Sequence, residues 1–174
     1  MDAALTIESV SREQGLEDID DLVAVLQDSV DNGASVGFLP PLSYDEAWRY
    51  WAKALEQVAA GERLLLVARR DGRTVGTVAL GLEARPNGSH RAEVQKLLVL
   101  STCRRQGIAR ALMAAVEDAA RAEGKRLLFL DTREGDAAEK LYEEIGYTRL
   151  GSIPGYARNA DGGFDPTVIF YKQL

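Results

Sequence analysis

The chain is poor in the side chains that hold metals or build covalent nucleophiles. Its 174 residues include one cysteine, Cys103, and one histidine, His90. A lone cysteine excludes an internal disulfide and fits a reducing compartment. One histidine with no second ligand at helical or hairpin spacing is no zinc site, and no Cys–His pairing supports a thiol nucleophile. Missing too is any apolar run of the ~18 residues that a membrane span requires, and Met1-Asp2-Ala3-Ala4 lacks the basic opening of a secretory signal. These absences predict a cytoplasmic protein with no metal and no membrane partner. Basic residues are also outnumbered, 21 Lys+Arg against 27 Asp+Glu for a net charge of -6. That balance disfavours generic nucleic-acid binding.

What is present is ordinary globular usage, 46% hydrophobic and 28% charged, at a length that suits one domain. Leu5 to Val10 reads as an edge strand. Leu16, Ile19, Leu22, Val23, Leu26 and Val30 recur at three- and four-residue steps and form one helical stripe that Asn32-Gly33 ends. Gly33 to Leu42 is a loop carrying Phe38 and Pro40-Pro41, expected to form a wall of the acceptor pocket. Ser43 caps a second helix, and Glu46 completes a capping box. The expected buried face of that helix is Tyr44, Ala47, Trp48, Trp51, Leu55 and Val58. Strands follow at Leu64 to Arg69 and Thr74 to Leu82, joined by the hairpin signal Asp71-Gly72. Arg91 to Leu100 is the next strand, then a helix from Gly107 to about Glu123, a buried strand Leu127 to Thr132, and a helix Asp136 to Ile145. Tyr147 to Ile153 and Thr167 to Lys172 are the last strands. The order predicts a mixed α/β domain in which only the part after about residue 91 calls for parallel strands.

The informative segment is the turn Arg104-Arg105-Gln106-Gly107-Ile108-Ala109, which carries a strand into a helix. At a helix start the first N–H groups lack intrahelical partners, and the macrodipole adds partial positive charge. Gly107 removes the side chain that would keep a phosphate from the backbone, so the turn has the form of a pyrophosphate cradle. No Gly-Lys-Ser/Thr follows, which excludes a Walker A loop, and the further glycines of a dinucleotide fingerprint are missing. Judged by charge alone, Arg104, Arg105 and Arg110 also fit a solvated basic turn.

Arg104-x-x-Gly107-x-Ala109 resembles the Gln/Arg-x-x-Gly-x-Gly/Ala signature of the GNAT acetyltransferases. Ala138-Glu-Lys-Leu-Tyr142-Glu-Glu-Ile-Gly146-Tyr147 looks like the Ala-x-x-Leu-Tyr-x-x-x-Gly-Phe/Tyr helix of the same family. Together with His90 to Leu100, Leu130-Asp131-Thr132 and Pro154-Gly155-Tyr156, these segments are similar to the tabtoxin resistance acetyltransferase and its relatives, over about residues 88 to 174. The resemblance implies an α/β GNAT-type fold, a mixed central sheet of about six or seven strands flanked by four main helices. It implies a single domain over 1–174, with 1–60 mainly on the acceptor side and 91–146 as the acetyl-CoA-binding core. Acetyl-CoA is the expected acetyl donor, held by Leu97, Leu98, Val99, Arg104, Arg105, Gln106, Gly107, Ile108, Ala109 and Arg110, with no metal. Gly135 departs from the family pattern, standing where many members carry an asparagine against the pantetheine arm.

Acetyl transfer to an amine needs a neutral nucleophile, a polarised thioester carbonyl and a proton for the leaving thiolate. Family resemblance assigns Glu93 as general base, Asp131 as a second carboxylate at the same cleft, and Tyr142 as the acid that protonates the CoA sulfur. A backbone N–H near Val99 or Leu100 is expected to polarise the carbonyl. Without the resemblance, Glu93 and Asp131 read as strand-end acids and Tyr142 as a core aromatic. The expected acceptor is a small-molecule amine, an amino-acid-like toxin or metabolite, and a homodimer is left open. Two alternatives stand beside it: acetylation of a protein N-terminus or lysine, and a non-catalytic acyl-CoA-binding module. The acid-rich run Glu17 to Asp21 is expected to be a solvated helix face.

Overall fold

A computed structural model describes residues 4–174; the opening Met1-Asp2-Ala3 lies outside the described residues. Seven strands form one sheet: β1 (Thr6–Ser9), β2 (Arg63–Arg70), β3 (Arg73–Leu82), β4 (Arg91–Val99), β5 (Leu127–Arg133), β6 (Thr148–Arg158) and β7 (Phe164–Gln173). Their order across the sheet is β1-β2-β3-β4-β5-β7-β6. Every neighbouring pair is antiparallel except β4–β5. That parallel pair is connected by α4 (Ile108–Ala122), the crossover helix such a pair requires. No helix of the described residues is long and apolar enough to cross a membrane.

One face of the sheet packs on α4 and on Tyr142 of α5 (Ala137–Glu144). The other face packs on α2 (Ile19–Asp31) and α3 (Tyr44–Ala59). Alternation along β2 divides these cores. Leu66 and Ala68 face the α4 side, while Leu65 and Val67 face α2 and α3.

The predicted order of elements holds with two corrections. The first stripe is two helices, α1 (Arg12–Glu17) and α2, broken at Asp18. Gly15 of α1 lies against Leu55, so closely that a Cβ there would meet the Leu55 side chain at 2.2 Å. In α3, Trp51 is fully buried and donates its indole N–H to the Leu22 carbonyl at 2.8 Å, but Trp48 is 40% and Tyr44 47% exposed. Those two stand at the margin of the apolar stripe, where the sheet no longer covers them. The capping box of Ser43 and Glu46 forms as expected.

The acidic run is not simply solvated. Asp18 pairs with Arg69, and Asp21 accepts from Arg73 and from the Thr74 N–H at 3.0 Å, fastening the α1–α2 junction to the β2–β3 hairpin. At the other end of α2, Asp28 accepts from the Ser101 N–H at 2.7 Å and from its hydroxyl at 2.6 Å. This tie holds α2 against the turn that follows β4.

Candidate active site

The site arises where two parallel strands stop pairing. β4 and β5 are in register only at Arg91 with Leu127, Ala92 with Leu128 and Glu93 with Phe129. Beyond Glu93 they part. β4 is also bulged opposite Thr77 to Ala79, where the register jumps from Gln95 to Leu98. The bulge puts Lys96 in the left-handed region at φ 51° and offers its carbonyl to the Thr77 hydroxyl at 2.9 Å. A continuous cleft of about 910 Å³ runs through the opening, from Arg104 to Arg110 at one end to Tyr50, Arg63 and the loop 33–37 at the other.

At the first end the chain turns sharply. Arg105 has φ 60° and Gly107 φ 79°, and Gly107 is the N-cap of α4 with no side-chain cap on the helix. Positive-φ residues alternating into a helix start form a nest, a concavity of backbone N–H groups suited to an anion. A Cβ on Gly107 would meet nothing within 4 Å beyond its chain neighbours, so the backbone there is open to an approaching group. These residues fit a pyrophosphate. Leu97, Leu98, Val99, Arg104, Arg105, Gly107, Ile108, Ala109 and Arg110 all line the cleft. Gln106 does not: its side chain turns outward and accepts from Arg70 at 2.5 Å, leaving only its backbone to the nest. Arg110 is shared with Glu144 at 2.5 Å, and Arg104 donates to the Val99 carbonyl at 3.2 Å.

The three expected catalytic residues meet in the same cleft. Glu93 accepts from the Gln95 amide at 2.8 Å, and Asp131 accepts from the Thr167 hydroxyl at 2.9 Å. Tyr142 is buried, with its ring against Tyr147 and Phe170 at centroid separations of 5.9 and 5.7 Å. Burial first, and then the charges of Asp131 and Asp136, push the Tyr142 hydroxyl well above the ordinary tyrosine value. It is therefore a protonated group at neutral pH, as an acid must be. The backbone expectations fare less well. The Leu100 N–H donates to the Val75 carbonyl at 2.9 Å, so a polarising N–H has to come from earlier on β4. The Gly135 N–H is taken by Glu139 at 2.5 Å and is not available to a pantetheine arm.

The loop expected as a wall of the acceptor pocket lines the cleft through residues 33–37, whereas Phe38 packs edge-on against Tyr50 with centroids 5.5 Å apart. Arg133 donates to the Gly33 carbonyl at 2.8 Å and pairs with Asp136 at 2.7 Å, fastening the loop to β5 and α5. Tyr156, Arg63 and Lys96 line the cleft as well. The strand patterns give Arg63 and Lys96 no distinguishing mark. Tyr156 falls within a segment that the family resemblance already singled out.

A model of the acetyltransferase (GNAT) family matches residues 26–147. An uncharacterized N-acetyltransferase encoded in the hisH-hisA intergenic region of Azospirillum brasilense is 38% identical over 119 residues, 67% of this chain and 69% of that protein. An IAA acetyltransferase of the same organism is 32% identical over 120 residues, 68% and 72% of the two chains. Among solved structures, yncA from Salmonella typhimurium, determined with its cofactor acetyl-CoA, superposes with a TM-score of 0.81 at 18% identity, covering 99% of this chain and 95% of that one. A ribosomal-protein-alanine N-acetyltransferase from Brucella melitensis gives 0.81 at 23% identity, covering 97% and 99%. At such identities the structural likeness is one of fold.

Proposed function

This chain belongs to the acetyltransferase (GNAT) family and is an acyltransferase enzyme, and we propose that it moves the acetyl group of acetyl-CoA to the primary amine of a small molecule by direct attack in a ternary complex. One observation carries the reading. A single cleft is lined by the nest at Gly107, by Glu93 and Asp131 at the β4–β5 opening, and by Tyr142. A donor and an acceptor fit side by side, so no acetylated side chain is needed as a carrier. We take an amino-acid-like toxin or metabolite as the acceptor, at the end of the cleft lined by the loop, α3, β4 and β5. The relative named for IAA is a small-molecule precedent within the family.

Acetyl-CoA, when bound, supplies a thioester carbonyl and a thiolate leaving group. The backbone N–H groups of residues 105–110 hold its pyrophosphate. Glu93 and Asp131 attract the acceptor's ammonium and Glu93 takes its proton, leaving a neutral nitrogen that forms the new N–C bond. The C–S bond breaks as Tyr142 gives its proton to the departing sulfur, and the second proton that the nitrogen sheds on becoming an amide passes to solvent, which restores the Tyr142 hydroxyl. Asp131, fixed by Thr167, serves as the anchor, while Glu93 is the base. Assigning proton removal to a carboxylate predicts a kinetic signature. With amine and acetyl-CoA varied together, initial-rate lines should intersect, and kcat/KM should rise with pH along an ionisation limb that Glu93→Gln loses or shifts. Asp131→Asn should mainly raise the acceptor KM. Parallel lines, or an unchanged pH profile and full turnover in both variants, would overturn this assignment.

A further inference from the structure

The acceptor end of the cleft holds two cations, Arg63 and Lys96. Among the described residues neither forms a salt bridge with a carboxylate. The Arg63 Nε is buried without a hydrogen-bond partner, and its Nη1 reaches only the Tyr50 hydroxyl at 3.4 Å. Lys96 lies over the Tyr50 ring, its Nζ 5.1 Å from the centroid. A buried, unpaired N–H of a charged group is costly and calls for a partner.

Register explains why Glu93 does not pair with Arg63. Gly81 of β3 lies opposite both Arg63 and Glu93, so the three share a row across the sheet. The gap above Gly81 is occupied by the Gln95 amide, which would stand 3.4 Å from a Cβ there and which donates to Glu93 instead. Gln95 thus satisfies Glu93 and keeps it from Arg63. The pocket holds both signs of charge, the carboxylates Glu93 and Asp131 and the cations Arg63 and Lys96. Burial first, and then the nearby Arg63 charge, lower the Lys96 ammonium from its ordinary value, against the opposing charges of Glu93 and Asp131.

Resting on the proposed acetyl transfer to a small amine, we propose that the acceptor is zwitterionic: it presents its amine to Glu93 and Asp131 and a carboxylate to Lys96 and Arg63. Free amino acids and close analogues are the class this fits. An amine of equal size without an anion leaves both cations unpaired on binding, and its own ammonium meets their repulsion.

The test uses matched acceptors on the whole protein: phenylalanine, methionine and histidine, each beside its carboxamide and its decarboxylated amine. The free amino acids should be turned over with kcat/KM roughly 10-fold or more above their uncharged partners, the scale of one charge-assisted contact. Lys96→Met and Arg63→Gln should raise the amino-acid KM roughly 10- to 100-fold, leaving the KM for acetyl-CoA and for the amides near wild type. Lys96→Met should melt no lower than wild type, because it removes a desolvated charge, so a raised KM is not lost folding. Equal or better turnover of the amides and decarboxylated amines overturns the carboxylate site and leaves small-amine acetylation standing. A parallel rise in acetyl-CoA KM overturns it too, by placing the two cations on the donor. Acetylation of peptides with no turnover of any free amino acid overturns the acceptor class itself, and the zwitterion inference with it.

Discussion

Gly107→Glu is expected to abolish acetyl-CoA binding in calorimetry while the protein stays folded. The effect has two sources that a milder substitution separates. Gly107 sits at φ 79°, where any side chain carries backbone strain of about 1–2 kcal/mol. Its Cβ position is open, with nothing beyond its chain neighbours within 4 Å, so a side chain can extend from it without displacing packed protein. Gly107→Ala has the strain alone and should weaken binding modestly. Gly107→Glu adds a carboxylate at the mouth of the nest, where it occupies the phosphate position and repels the phosphate charge across the uncapped start of α4. The expected loss exceeds ~100-fold, and the two variants should melt at similar temperatures because they share the strain. Wild-type affinity in a folded Gly107→Glu variant would remove the cradle from this turn.

Tyr142→Phe should lower kcat by ~10²-fold, the lower end for a positioned acid, with acetyl-CoA affinity nearly unchanged. The substitution removes one oxygen and keeps the ring that packs on Tyr147 and Phe170. The sign of the pH dependence follows from burial. A hydroxyl pushed above its ordinary value keeps its proton beyond pH ~10. Wild-type kcat should therefore show no fall attributable to this residue below that pH. The same raised value means that the folded state binds the proton more tightly than the unfolded chain. That contribution to stability is complete below pH ~10 and is lost only as pH rises through the folded value. An unchanged kcat in the phenylalanine variant, with chemistry rate-limiting, would make Tyr142 a packing residue.

What could be read from the sequence was whatever local chemistry dictates. Asp71-Gly72 predicts a tight hairpin, and both residues take positive φ, 51° and 75°. Ser43 and Glu46 predict a capping box, and both of its hydrogen bonds form. Gly107 predicts a backbone open to an anion, which its dihedral and empty surroundings support. What escaped depends on neighbours distant in sequence. The break at Asp18 has no glycine or proline at that position to announce it, and Asp18 pairs there with Arg69 of the β2–β3 hairpin, a partner distant in sequence. Trp48 and Trp51 lie three positions apart on one stripe, and only tertiary cover decides that one is buried and the other is not.

The acceptor end was hidden for the same reason. Lys96 belongs to it because of a strand bulge, and no glycine or asparagine marks that position. Arg63 belongs to it because Gly81, on another strand, leaves a gap that Gln95 fills. Gln106 shows the converse. Its place in the motif predicts a ligand contact, yet its side chain pairs with Arg70.

The most direct test is to mix the protein with acetyl-CoA and the panel of free amines and to measure released CoA together with the acetylated product. The account predicts one N-acetylated small amine for each CoA released, with no acetyl group left on the protein. CoA release without an acetylated amine, or acetylation confined to peptide and protein amines, would contradict it.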